Sequence, residues 1–117
     1  MTEVIKQYLE DDIILLSGGD WHETITAYED DGVTPKDTTG WLMTMTILKE
    51  FPNGKVYDTL ETDATRIVNT PANGQFNLNI TKTEIEAYSF VNAVYRLTID
   101  YGDGNVQVVR MGKVGVK

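Results

Sequence analysis

Apolar residues recur at every second position along most of this chain, and each alternating run stops at a turn signal. Trp41, Met43, Met45 and Ile47 alternate with Leu42, Thr44, Thr46 and Leu48. Phe76, Leu78 and Ile80 alternate with Asn77 and Asn79, and Tyr95, Leu97 and Ile99 alternate with Arg96, Thr98 and Asp100. A period of two sends successive side chains to opposite faces of a strand, so these runs read as strands with one buried face. The same reading expects strands over Ile13–Leu16, Trp21–Tyr28, Lys55–Leu60 and, more briefly, Arg66–Val68. A last strand runs from Asn105 to Met111, with Val114 and Val116 continuing it after a break at Gly112.

The punctuation agrees. Ser17-Gly18-Gly19-Asp20, Glu29-Asp30-Asp31-Gly32, Pro71-Ala72-Asn73-Gly74 and Gly102-Asp103-Gly104 fall between the runs, and Pro52-Asn53-Gly54 predicts a tight hairpin turn. One helix is expected over about 81–90, because Thr81-Lys82-Thr83-Glu84 spells a capping box. About seven or eight short antiparallel strands with turns between them describe an all-β sandwich carrying one short helix. The sandwich is expected over 12–117. Val4, Ile5, Tyr8 and Leu9 make 1–11 either an N-terminal arm or a short helix.

A chain of 117 residues with 41% hydrophobic and 24% charged residues suits one domain with one core. No apolar run approaches the roughly 18 residues of a membrane helix, so no membrane insertion is expected. Met1-Thr2-Glu3-Val4 opens without a basic run and apolar stretch, so no secretory signal is expected. Charge is divided unevenly. Residues 1–37 hold ten carboxylates and two lysines, whereas 38–117 hold eight of each sign. The acidic segment is either a solvated edge or an end that docks on a basic neighbour. No clustered Lys/Arg is present to neutralise phosphates, which argues against nucleic acid.

Catalysis needs a convergent set of titratable groups, and the chain is poor in them. His22 is the only histidine, on the outer face of a strand beside threonines, and cysteine is absent. No zinc site, cofactor or enzymatic activity is therefore expected. Asp30-Asp31-Gly32 and Asp100 to Asn105 lack the spacing of a calcium loop and read as turn chemistry.

The candidate interface residues are apolar or charged. With Trp41, Met43, Met45 and Ile47 inward, Leu42 and Leu48 point outward, and Tyr28 and Tyr57 join them as exposed side chains. Such a two-sided apolar strand fits a surface covered by another subunit. Glu10, Asp11 and Asp12 near one terminus and Arg110, Lys113 and Lys117 near the other suit head-to-tail contact between copies.

Read end to end, particular motifs fall in a recognisable order: Gly19-Asp20-Trp21, Asp37-Thr38-Thr39-Gly40-Trp41, Asn73-Gly74-Gln75-Phe76-Asn77-Leu78, Thr81-Lys82-Thr83-Glu84, Tyr95-Arg96-Leu97-Thr98-Ile99 and Gly112-Lys113-Val114. The chain resembles, over about 13–116, the immunoglobulin-like domains at the N-termini of tailed-phage upper baseplate and tail-fibre adaptor proteins. Arg96 stands where those domains usually carry an acid, and the chain stops where relatives often continue into a fibrous region. The resemblance implies an immunoglobulin-like sandwich acting as a virion subunit, made in the host bacterial cytoplasm, that associates with itself as a ring or trimer and docks on other virion proteins. A head–tail completion or head-decoration protein, a glycan-binding or cell-surface adhesion module, and an enzyme accessory domain are the alternatives.

Overall fold

The alternating runs pair into two sheets. The structure, a computed structural model, describes residues 9–63 and 65–117. Its strands are β1 (Leu9–Glu10), β2 (Ile13–Leu15), β3 (Trp21–Thr26), β4 (Leu42–Leu48), β5 (Val56–Glu61), β6 (Ile67–Thr70), β7 (Gln75–Ile80), β8 (Asn92–Asp100) and β9 (Val106–Val116), with the helix α1 (Lys82–Ala87) before β8. The larger sheet runs β9-β8-β4-β5, with β1 and β2 both added on the outer edge of β9; the smaller runs β3-β7-β6. This is the pairing of an immunoglobulin-like sandwich, a G-F-C-C′ sheet facing a B-E-D sheet. Not every strand is antiparallel. β1 and β2 run parallel to β9, with Leu9 opposite Arg110 and Ile13 opposite Val114.

The inward faces are those the alternation marks. Met43, Met45, Ile47, Leu60, Phe76, Leu78, Ile80, Tyr95 and Leu97 are all within 1% of complete burial. The capping box forms: Glu84 N–H donates to the Thr81 hydroxyl, and Thr81 N–H donates to the Glu84 carboxylate. α1 stops at Ala87, short of the expected Phe90. The chain is then needed to carry Phe90 into the core, where its ring lies 4.7 Å from Tyr57 and 5.0 Å from Tyr88.

Three expectations are corrected. Pro52-Asn53-Gly54 does not make a tight hairpin. A longer loop closes through Lys49 N–H to the Lys55 carbonyl, Gly54 donates back to Glu50, and Gly54 does not adopt positive φ. Leu48 does not point into solvent; it is 2% exposed although it lies outside the main core cluster. The 49–55 loop folds back beside it, and Phe51 of that loop lines a recess with Val94, the register partner of Leu48. Finally, β9 does not break at Gly112 but runs unbroken for 11 residues. Its irregularity lies earlier: Leu97 pairs with Arg110 and Thr98 with Val108, which leaves Val109 as the extra residue of a bulge. A bulge reverses which side chains face inward, so Val109 and Arg110 are both buried, at 2% and 7% exposure.

The first strands also extend further than the sequence indicated. Leu9–Glu10, inside the segment read as an arm or helix, is paired strand, while Val4, Ile5 and Tyr8 lie outside the described residues.

Candidate functional site

Arg110 is the residue whose role changes most. It is not an exposed base at the chain's end but a buried one that joins the two sheets. The bulge turns its guanidinium inward, where it makes a two-pronged pair with Glu23 of β3, Nη2 to Oε1 at 2.9 Å and Nη1 to Oε2. Glu23 therefore shares the inward face of Trp21 because it has a cation to meet there. The Arg110 guanidinium also lies 5.4 Å from the Tyr95 ring centroid. Burial pushes the Tyr95 phenol up to about 12, and its hydroxyl donates to the Asp11 carbonyl at 2.5 Å.

These contacts bring the acidic and basic ends of the chain together within one molecule. Asp11 Oδ2 is 3.8 Å from Arg110, Glu10 pairs with Met111 across the strands, and the Asp12 carboxylate accepts Lys113 N–H at 2.9 Å. The Arg110 charge is thus spent within the chain, on Glu23 and at longer range on Asp11, whereas Asp12 meets the Lys113 backbone and leaves its ammonium outside the pair. Lys117 is exposed at the end of β9, its backbone bonded to Leu15 and Ser17.

Of the remaining interface candidates, only Leu42 is exposed on the outer face of the larger sheet. Leu42 is 52% exposed at one end of β4, in register with Asp100 and through it with Val106, which is 66% exposed. Val56 on the edge strand β5 is 51% exposed. Tyr28 is exposed in the loop after β3, whereas Tyr57 is half-buried against Phe90. Two adjoining recesses of about 340 Å³ each open on this face. One is floored by Phe51, Val94 and Met111 and rimmed by Glu10, Asp12 and Lys113; the other is bounded by Lys49, Asn92, Ala93, Val94 and Lys113.

No family model matches this sequence, and no curated protein matches it. Among solved structures, the chain is similar to Drosophila OTK, extracellular domains 3–5, at 15% identity and a TM-score of 0.41. The match covers 96% of this chain and 34% of that one. A likeness at that level carries no functional information.

His22 lies where the alternation places it, exposed on the outer face of β3, with Nδ1 at 2.5 Å from Asn79 Oδ1. The turn carboxylates are bound to their own backbone. Asp31 accepts from Val33 and Thr34, Asp100 from Gly102, and Asp103 from Asn105. Among the described residues, no group of three or more His, Asp and Glu side chains converges, and no helix is long and apolar enough to cross a membrane.

A second polar cluster fixes α1 to the edge of the larger sheet and was not legible beforehand. Arg66 bridges Asp58 and Glu84, each at 2.6 Å, and the Tyr88 hydroxyl donates to Asp58 at 2.6 Å. Burial acts to raise the Asp58 pKa, but the donors Arg66, Tyr88 and Thr59 outweigh it and hold the carboxyl below its ordinary value. A depressed folded-state pKa stabilises the fold above the unfolded value, about 3.9, and that contribution is lost as pH falls through the folded value. Asp58→Asn should cost about 2 kcal/mol at neutral pH and flatten the loss of stability below about pH 4. Urea midpoints from acid to neutral pH measure this; parallel curves for the two proteins would contradict it.

Proposed function

We propose that this chain is a non-catalytic structural subunit of a tailed-phage virion, which works by docking on copies of itself and on neighbouring virion proteins. The observation that carries the reading is the outer face of the larger sheet. There Leu42, Val56 and Val106 stay exposed on a sandwich whose interior is already filled. Leu42 and Val106 flank Asp100 at one end of that face and Val56 lies at the other, positions that fit contacts with neighbouring subunits. The sequence motifs shared with phage adaptor domains, from Gly19-Asp20-Trp21 to Gly112-Lys113-Val114, support the setting.

Mass spectrometry of density-purified particles from cells expressing this gene tests the proposal. Its peptides are expected at a fixed ratio to the major structural proteins. Recovery only from the soluble lysate, with none in particles, sinks it.

A further inference from the structure

The two ends of the sandwich differ in charge. At one end the loop 27–41, the turn 71–74 and the hairpin tip 101–105 meet. Ala27 N–H donates to the Gly74 carbonyl, Thr38 N–H to the Pro71 carbonyl, and the Trp41 and Tyr101 rings lie 4.7 Å apart. This end carries Glu29, Asp30, Asp31, Asp37, Asp100 and Asp103 against Lys36 alone. Asp31 and Asp37 are held below the ordinary carboxylate range by hydrogen bonds from Thr34 and Thr39.

At the other end the loops 16–20, 49–55 and 81–91 meet the C-terminal strand. Val116 N–H donates to the Val91 carbonyl, and Lys117 N–H donates to Leu15. Here the helix charges cancel locally, Lys82 with Glu86 at 3.0 Å and Glu84 with Arg66. What remains is Lys49, Lys55, Lys113 and Lys117 beside Asp20 and Glu50, with Glu10 and Asp12 sharing the adjoining recess with Lys113. The recess between Lys49 and Lys113 has no carboxylate in its lining. Each end also exposes apolar side chains: Leu42 and Val106 at 52% and 66%, Leu16 and Val91 at 62% and 66%.

We propose that the acidic loop end of one copy docks on the Lys49–Lys113 recess of the next, so that copies stack head to tail. The occupant is a second copy because the same molecule carries both halves of the match: acid beside Leu42 and Val106, and base beside Leu16 and Val91. Two different patches meeting make a heterologous contact, which closes as a ring or continues as a filament. The contact names the self-partner of the docking role proposed above and rests on that reading. It replaces the head-to-tail match expected between Glu10 to Asp12 and Arg110 to Lys117, because Arg110 meets Glu23 and Asp11 inside one chain.

Sedimentation velocity on the full chain tests this, with two variants that keep the fold, as thermal melts would verify. One neutralises the acidic end (Glu29→Gln, Asp30→Asn, Asp103→Asn); the other neutralises the basic end (Lys49→Gln, Lys113→Gln). The parent should self-associate at 50 mM salt and weaken by about tenfold or more at 500 mM, because screening shortens the reach of exposed charges. Each variant alone should be monomeric. Their mixture should stop at dimers, since each pair retains a single intact contact. A parent that stays at 13.1 kDa at several hundred micromolar and low salt overturns the proposal. So does association that ignores salt, or that both variants retain, or a mixture that forms no dimer. If the chain is absent from virions and these results still hold, the virion reading fails while the head-to-tail contact stands.

Discussion

Replacing Gly112 with alanine is expected to strip the first strands from the larger sheet, at a cost of about 3 kcal/mol, the upper part of the range for one substitution. Between β1 and β2 the backbone crosses directly over Gly112. A Cβ there would lie 2.7 Å from the Asp11 carbonyl carbon, closer still to its oxygen, and 3.1 Å from the Tyr95 ring. The obstacle is backbone, which cannot swing aside as a side chain would. Relief requires Asp11 to move, and that movement breaks the Asp11 N–H bond to Met111 and the Tyr95 hydroxyl bond to Asp11. Gly115, three residues on in the same strand, is the control: the nearest atom to its Cβ is 4.0 Å away. Hydrogen exchange on Gly112→Ala should show lost protection at Ile13–Leu15 with β4 and β8 still protected, and urea melts should separate the two variants. Equal stability of Gly112→Ala and Gly115→Ala would refute the close-approach argument.

The second large effect is expected at Glu23. Truncating it to alanine leaves the Arg110 guanidinium buried without its counter-ion, which costs about 3 kcal/mol. The figure belongs at the low end of the range for buried pairs, since the Glu23 side chain is 29% exposed and water can reach it. The informative comparison is the double replacement Glu23→Leu with Arg110→Met. Filling the same space with apolar side chains removes two desolvated charges at once, so it should recover most of the loss. A double-mutant cycle by chemical denaturation reads the coupling directly. Additive losses in the double variant would mean that the two residues act independently, and the latch between the sheets would have to be abandoned.

Both predictions concern the parts of the molecule that the sequence conceals. Strand existence and inward faces were legible wherever alternation was uninterrupted, as in Met43 to Ile47 and Tyr95 to Ile99, because a period of two has one physical meaning. The helix start was legible because a capping box is local. Arg110 was not, for two reasons. The bulge at Val109 breaks the alternation and so looks like a strand ending near Gly112. The partner that makes an inward arginine tolerable is 87 positions away. One signal was available: Glu23 on the same face as Trp21 is an acid where the pattern calls for a core residue, and such an acid implies a buried cation. The burial of Leu48 was hidden differently. It depends on how the 49–55 loop folds back, and the Asn53-Gly54 pair suggested a shorter turn. The charge division was visible as a fact of the chain, but its place in space was not. Among the described residues, Glu10, Asp11 and Asp12 lie beside β9 and Glu29, Asp30, Asp31 and Asp37 in the loop 27–41, while Asp20 sits in the loop 16–20 and Glu23 on Arg110.

The parallel seating of β2 on β9 also sets how the molecule would carry load. The chain enters this seam beside Arg110, and its last residue leaves at the other end, next to Leu15. Tension drawn between the two termini would slide β1 and β2 lengthwise along β9, loading their backbone hydrogen bonds together in shear instead of peeling them one after another. The Tyr95 hydroxyl on Asp11 and the Asp12 carboxylate on Lys113 are cross-ties along the same line. A seam of that geometry resists traction as a unit.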